Sequence, residues 1–488
     1  MSIQLLDTID KINSWFKTKQ VPHRQLYAFK RREFDRLLKD LDNIDLATLI
    51  IGGRRVGKSV LMYQMIDHLL QKGVNPLNIL FIQGDNPILR EIYDEKKIIT
   101  DILDLYQNYI LRKQFRELDD EKVYIFIDEA QSLLRWDEHL KALIDLKYNI
   151  KFIVTGSSSF ELRKGAQNPL TGRVNVHLIS PFSFFDFAAY KVSDSKRSEF
   201  ISKLTKITQE FQNKFLNTDD FISMFKLGKQ VEQIVSDFNL RVRFDDYLLT
   251  GGFPKVVAGA EDNDMSKYLR DLLTTTISQD ISTNIRDTQA FERLMVILCL
   301  CIGSPITYKA LADKLGIDER SASKYIDHYI ETHWAYLSSP YLFHKRADSI
   351  KTDKKIYIID TGVINTLAFK DESDLQNDKE YRGHLVENVI HNHLFFLKQL
   401  SGTFQNFIPF WIDSETHKEI DFMFEIKRGV IPIEVKTMDK LSDGKLYAMQ
   451  KFLKEKKSAK YGIVTTENVL KIEENILYIP YRTLALLI

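Results

Sequence analysis

The stretch that most limits what this chain can fold into is Gly52-Gly-Arg-Arg-Val-Gly-Lys-Ser59. A short apolar run, Leu46-Ala-Thr-Leu-Ile-Ile51, leads into it. Val60-Leu-Met-Tyr-Gln-Met-Ile-Asp-His-Leu-Leu70 follows with helical spacing. Strand, glycine loop and helix, in that order, are the setting in which G-x-x-x-x-G-K-S wraps an anion. Gly52, Gly53 and Gly57 let the loop turn its N–H groups inward around Arg54, Arg55 and Val56, and the helix N-terminus adds partial positive charge. Lys58 is then positioned for the β- and γ-phosphates of a nucleotide and Ser59 for Mg2+. ATP and Mg2+ are the expected cofactors.

Val123-Tyr-Ile-Phe-Ile-Asp-Glu-Ala-Gln131 supplies the second half of such a site. A continuous apolar run reads as a buried parallel strand, and this one ends in two carboxylates. Asp128 is expected to hold Mg2+ through water, and Glu129 to polarise the attacking water. A third run, Ile150-Lys-Phe-Ile-Val-Thr155, enters Gly156-Ser-Ser-Ser159. Ser157 is the expected γ-phosphate sensor there, with Thr155 or Ser158 as neighbours. Arg173, in Thr171-Gly-Arg173, reads either as an arginine finger completing a neighbouring subunit's site or as a surface residue paired to a carboxylate. The first reading implies a homo-oligomer.

At 488 residues the chain exceeds one ordinary core, and two to four domains are expected. With 68 Lys+Arg against 67 Asp+Glu, a nucleic-acid partner would need a local basic patch, since the whole chain offers none. Cys299 and Cys301 lie two apart in an apolar run and read as helix core, because two thiols cannot complete a structural zinc site. The N-terminal segment is amphipathic and carries acids, unlike a signal peptide, and no apolar run approaches the roughly 18 residues that span a bilayer. A cytoplasmic, reducing location with no membrane association is expected.

Further along, Thr307 is a natural N-cap for a helix over Tyr308–Leu315, Gly316-Ile-Asp318 makes a turn, and Glu319–Ile330 forms a second helix. Trp334–Tyr341 then reads as a wing-like strand. Arg320, Ser321, Ser323 and Lys324 would face outward, toward DNA or toward a protein partner, with Glu319 and Asp327 diluting the charge.

Near the C-terminus, Lys418–Phe424 and Val430–Lys436 read as two strands joined by a short loop, which brings Asp421 near Glu434 and Lys436. Glu434 and Lys436, two apart, share one face. Asp421 and Glu434 would hold a hard cation with the Val435 carbonyl, Lys436 would orient or deprotonate a water, and Glu387, from a helix over 383–394, would complete the shell. His391 and His393 read as helix surface, and Gln450 as an accessory residue.

These motifs, with Ser180-Pro-Phe-Ser-Phe-Phe-Asp-Phe187 and Leu248-Leu-Thr-Gly-Gly-Phe-Pro254 between them, resemble those of AAA+-type P-loop ATPases of archaea and bacteria that carry a C-terminal nuclease-like domain. The E…D-x12-E-x-K pattern is similar to the PD-(D/E)XK nuclease motif. The resemblance implies an α/β architecture in four parts: a P-loop ATPase core (1–178), a helical lid (179–285), a winged helix (286–342) and a restriction-endonuclease-like α/β domain (343–488). The chain departs from that pattern by a charged, helix-rich insertion from Ser193 to Asp246. The implied function is ATP hydrolysis coupled to Mg2+-dependent cutting of DNA. The alternative is a non-nucleolytic ATPase switch whose nuclease-like fold grips a partner.

Overall fold

The computed structural model describes residues 2–92, 98–156, 170–217, 219–259, 262–277, 285, 287–341, 354–400, 407–427, 429–439, 446–456 and 458–488. Where four parts were expected, the chain divides into two compact units, Met1–Ser180 and Pro181–Ile488.

The first unit is built on a parallel sheet. Its strands are β1 (Ala47–Gly52), β2 (Ile79–Gln83), β3 (Val123–Asp128), β4 (Ile150–Gly156) and β5 (Val174–Ile179), in the order β2-β3-β4-β1-β5. Every residue of β1, β3 and β4 is buried, which is why these segments read as unbroken apolar runs. Leu49, Ile51, Leu80, Ile82, Ile125, Ile127 and Val154 pack into one core with Leu5 and Ile9 of the helix Ser2–Ile12. The exposed edge of β2 is closed by side chains. The Asn13 amide donates to Phe81 O (3.0 Å) and accepts from Phe81 N (2.6 Å), while Trp15 Nε1 donates to Ile79 O at 2.9 Å. Such cover removes a free ladder that could pair with another chain. Because the strands are parallel, their C-terminal ends share one rim, where α/β sheets carry their ligands.

The second unit opens on Ser183, whose hydroxyl caps the helix Phe184–Lys191 in a capping box with Asp186. The helices Asp194–Asn217, Phe221–Asp237 and Leu240–Thr250 follow. They correspond to the expected lid, yet they pack on the C-terminal elements. Thr208 Oγ1 donates to Leu486 O (3.2 Å), Phe215 meets Phe424 with ring centres 5.0 Å apart, and Phe221 stacks on Tyr461 at 5.4 Å. These contacts hold the helices against the C-terminal elements within one compact unit.

A small antiparallel sheet has the order β6-β8-β7, from β6 (Pro305–Ile306), β7 (Ala335–Ser338) and β8 (Lys354–Ile358). The helices Thr288–Leu300, Tyr308–Leu315 and Glu319–Glu331 accompany it. Thr307 accepts from Ala310 N as expected, and Gly316 ends its helix in the left-handed region. The boundary expected at 342–343 cuts this sheet, since Leu337 pairs with Ile356 and Pro305 with Lys355. The expectation failed because β8 reads as the start of a new α/β segment, while strand pairing is a long-range property.

A separate pair joins β9 (Trp411–Ile412) to β10 (Glu419–Ile420). The last sheet has the order β11-β12-β13-β15-β14, from β11 (Phe422–Ile426), β12 (Gly429–Glu434), β13 (Gly462–Thr466), β14 (Lys471–Glu473) and β15 (Ile476–Pro480). Within it β11 and β12 are antiparallel, whereas β12, β13 and β15 run parallel.

The Leu248–Pro254 motif has a structural part here. Gly252 N donates to Asp360 Oδ2 at 2.6 Å, Asn365 Nδ2 donates to Leu248 O and Leu249 O, and Phe182 N donates to Gly252 O at 2.7 Å. Three distant segments are thereby tied through main-chain groups, and burial pushes the Asp360 carboxyl up to about 6. His391 and His393, expected on a helix surface, are buried in the helix Lys379–Leu400. His391 stacks on Tyr357 at 4.0 Å, and burial lowers it to about 3. His393 Nε2 accepts from Phe184 N at 3.1 Å. The helix is covered on more sides than its local pattern indicates.

Candidate functional site

The rim of the first sheet gathers the phosphate-loop residues. β1 ends at Gly52 with φ of 152°, and a Cβ there would sit 2.1 Å from Ile179 O, so only glycine fits. The loop crown bends through Arg55 (φ 58°) and Gly57 (φ 100°) around a fully buried Val56. Gly53 and Arg54 precede this bend. Lys58 opens the helix Lys58–Gln71 and folds back over the loop, donating to Gly52 O (3.0 Å) and Gly53 O (2.9 Å).

Across the rim, Ser59 Oγ donates to Asp128 Oδ2 at 2.8 Å. Thr155, the penultimate residue of β4, hydrogen-bonds Asp128 Oδ1 through its hydroxyl. The Thr155 hydroxyl oxygen in turn accepts from Glu129 N at 3.1 Å. Burial pushes the Asp128 carboxyl above the ordinary aspartate range, which the hydroxyl donors and Lys58 oppose. Glu129 adopts a left-handed backbone (φ 51°), and its carboxylate accepts from Gln131 Nε2 at 2.5 Å. A non-glycine residue in that region stores strain held by its surroundings, a feature concentrated at functional sites. Gly84, just past β2, donates its N–H to Asp128 O at 2.8 Å and would place a Cβ 2.7 Å from Glu129 O.

The expected sensor Ser157, and Ser158 beside it, lie outside the described residues. Thr155 does make a specific contact with both carboxylate residues. Its signal in the sequence was a single hydroxyl at the end of an apolar strand. Arg173 sits elsewhere. Ala47 N donates to Arg173 O, placing this residue at the start of β1 and β5, the rim opposite Gly52. Its guanidinium pairs with Asp145 at 2.6 Å. It has no part in the phosphate site of its own chain, because a parallel sheet puts strand starts a full strand length from the loop. The donor set at the first rim is a hydroxyl and a carboxylate beside a lysine and the glycine loop. That set fits a triphosphate carrying a hard divalent cation.

A second cluster lies in the last sheet. Phe422 pairs with Ile433, so Asp421 lies across from Glu434 on adjoining strand ends. Asp421 Oδ2 accepts from Val435 N at 2.6 Å. Lys436 Nζ lies 2.5 Å from Glu434 Oε1, while the buried Oε2 has no hydrogen-bond partner among the described residues. Burial, and then the Asp421 charge, push Glu434 up to about 8. The same two causes push Glu387 up to about 7. Burial opposes the charge on Lys436, yet Asp421 and Glu434 hold it above the usual lysine range.

Three members escaped the sequence reading: Lys355, Tyr357 and Glu419. Lys355, from β8, pairs with Glu419 and lies 3.6 Å from Glu387 Oε1. Tyr357, two residues on, donates to Glu387 Oε1 at 2.7 Å. The available signals were a lysine inside an apolar strand and a glutamate two residues before Asp421. Gln450 is exposed on the helix Tyr447–Glu455. Among the described residues no three His, Cys, Asp or Glu side chains gather for a metal ion. Two carboxylates and an unpartnered Oε2 nevertheless suit an ion of the magnesium type, which keeps several waters and takes one or two carboxylates.

Arg320 and Lys324 are exposed on Glu319–Glu331, while Ser321 is drawn back to Asp318 (2.7 Å) and Ser323 is half-buried. Among the described residues no helix is long and apolar enough to cross a membrane.

Residues 45–188 match the family described as an AAA domain. Residues 241–374 match a domain of unknown function (DUF8612), and residues 382–484 another (DUF4143). The uncharacterized protein MJ1637 of Methanocaldococcus jannaschii is 26% identical over 505 aligned residues, spanning 100% of this chain and 95% of its own. An uncharacterized protein of Haemophilus influenzae is 24% identical across 68% of this chain and 72% of its own. Among solved structures, the Walker-type ATPase PABY2304 of Pyrococcus abyssi covers 70% of this chain and 95% of its own, at 20% identity and a TM-score of 0.38. That score is too low to say that the whole chains share an arrangement. The family match and the parallel sheet agree: the first unit is similar to AAA-type P-loop domains.

Proposed function

We propose that the first unit binds magnesium–ATP and hydrolyses it. The observation that carries this reading is the convergence of the Ser59 and Thr155 hydroxyls on Asp128, with Glu129 tied to Thr155 beside it, opposite the loop that Lys58 closes. Gly52–Gly57 and Lys58 hold the phosphates, and Ser59 and Asp128 hold the cation. When bound, magnesium neutralises charge between the β- and γ-oxygens. Thr155 orients the Asp128 carboxylate and the Glu129 main chain, and Glu129 takes the proton of the attacking water. The test is calorimetric titration with ATP and Mg2+, wild type against Lys58→Ala, alongside phosphate release. Binding and turnover that vanish in the variant support the reading. A wild type with no nucleotide affinity overturns it.

For the second unit, the reading is Mg2+-dependent DNA cleavage governed by the ATPase. Asp421 and Glu434 hold the cation, Lys436 orients the water, and Glu387 completes the shell. The helix–strand–helix–turn–helix–strand–strand order of residues 288–358 supports reading this segment as a winged helix, whose exposed Arg320 and Lys324 would contact phosphate. A reducing, cytoplasmic setting suits the free Cys299 and Cys301. One observation favours a non-nucleolytic switch instead: Lys436 is committed to an ion pair with Glu434. Supercoiled and linear DNA with Mg2+ or Mn2+, with and without ATP, separates the two. Cutting lost in both Asp421→Ala and Lys436→Ala supports the nuclease, and no cutting under any condition supports the switch. Salt-sensitive DNA binding lost on charge reversal at Arg320 and Lys324 supports the winged-helix contact. Light scattering with and without ATP tests the homo-oligomer.

A further inference from the structure

Ahead of the phosphate loop lies Phe29-Lys-Arg-Arg-Glu33, whose Arg31 is buried at 5% exposure. A buried arginine must be hydrogen-bonded to persist. Its Nε donates to Glu33 Oε2 at 2.7 Å. Burial opposes the charge of Glu33, yet Arg31, then Arg32 and Arg36, hold it at about 2. A single nitrogen, Nη1, then donates to two carbonyls: Val56 O at 3.1 Å and Ser180 O at 2.9 Å. The first belongs to the loop crown, and the second to the last residue of the first unit.

Both ends of this link are informative. Val56 is fully buried between two residues of positive φ, Arg55 and Gly57. When loop amides turn inward to an anion, the carbonyls turn outward, and Arg31 receives the outward carbonyl of the crown. A left-handed arginine costs on the order of 1 kcal/mol or more and persists only where neighbours hold it. At the other end, Phe182 is held within the second unit. Its N–H donates to Gly252 O at 2.7 Å, and its carbonyl accepts from Tyr247 OH at 3.0 Å. Pro181 alone separates the residue held by Arg31 from the residue held by Gly252.

We propose that Arg31 is a positioning residue that holds the crown of the phosphate loop and couples its nucleotide state to the chain's exit at Ser180. The inference rests on nucleotide binding at the loop. Coupling of this kind is reciprocal: what orders the crown orders Ser180, and what displaces Ser180 loosens the crown.

The test uses the full-length chain as wild type, Arg31→Lys and Arg31→Ala, with calorimetry against the slowly hydrolysed analogue ATPγS and hydrogen exchange of peptides covering 179–184. In the wild type, Mg·ATPγS slows exchange in these peptides. In Arg31→Ala, affinity falls about tenfold, the scale of one charge-assisted hydrogen bond. The exchange change is also absent there at saturating nucleotide. Arg31→Lys keeps the positive charge and recovers affinity to within about threefold, with part of the exchange response. Should Arg31→Ala fail to fold, the lysine variant decides alone, by a diminished response at saturation. A variant that binds as the wild type does and shows the full exchange change overturns the coupling. A wild type that binds no nucleotide removes the premise as well, and is read directly from the first titration.

Discussion

Ser59 Oγ donates a 2.8 Å hydrogen bond to Asp128 Oδ2, joining the first turn of the phosphate-loop helix to the end of β3 across 69 positions of sequence. The pair presets two oxygen ligands on one side of the loop. Ser59→Ala removes one ligand and leaves the loop amides and Lys58 in place. Half-saturating Mg2+ in the ATPase assay should rise roughly tenfold or more, the scale of one lost ligand contact. Metal-free ATP binding, read by calorimetry, should change little.

Glu129→Gln keeps size and hydrogen-bonding capacity but cannot accept a proton. Turnover should fall by about a hundredfold or more, within the usual range for a lost general base, with ATP affinity nearly unchanged. Phosphate release at the wild-type rate would move the base elsewhere.

Thr155→Val removes the hydroxyl that bonds Asp128 and receives Glu129 N–H. Leaving a buried carboxylate short of a donor costs about 1–3 kcal/mol. Thermal melts should show that loss and steady-state kinetics a lower kcat, while Thr155→Ser should retain most of both.

Gly84→Ala tests the close approach beside the carboxylates. Its methyl group would stand 2.7 Å from Glu129 O and 3.0 Å from Asp128 O, both main-chain atoms that cannot swing away. Destabilisation of about 1–3 kcal/mol, typical of overpacking, is expected in denaturant unfolding, with turnover lowered as the strand end shifts.

The second cluster sets a pH dependence. Burial and Asp421 raise Glu387 to about 7 and Glu434 to about 8, from an ordinary value near 4.5. The folded state therefore binds more protons than the unfolded one between about 4.5 and 8. The contribution to stability is complete below the lower value and is lost as pH rises through 7 and 8. Melts in chelator from pH 5 to 9 should show a falling midpoint for the second unit. Glu434→Gln, which stays neutral throughout, should flatten that fall.

The strands ending at Gly52, Asp128 and Thr155 were readable as apolar runs because a strand buried on both faces has no polar alternation to hide it. The loop between the first strand and its helix was readable because phosphate wrapping demands glycine, lysine and serine at fixed offsets. Lys355 and Glu419 were not readable, since each sits in a segment whose local pattern says only strand. Of the two readings of Arg173, the pairing with a carboxylate needed the sheet to name its partner, Asp145 on the rim opposite the loop.

Local chain geometry, then, was enough to specify the phosphate loop, its two acidic strand-end residues and the Asp421–Glu434–Lys436 hairpin, because each depends on neighbours a few residues apart. The three-dimensional packing decided that the helices 194–250 join the C-terminal elements, that β8 pairs with β6 and β7, and that Arg31 reaches both Val56 and Ser180. Those outcomes depend on which distant apolar faces and main-chain groups meet, and no short-range pattern encodes that choice.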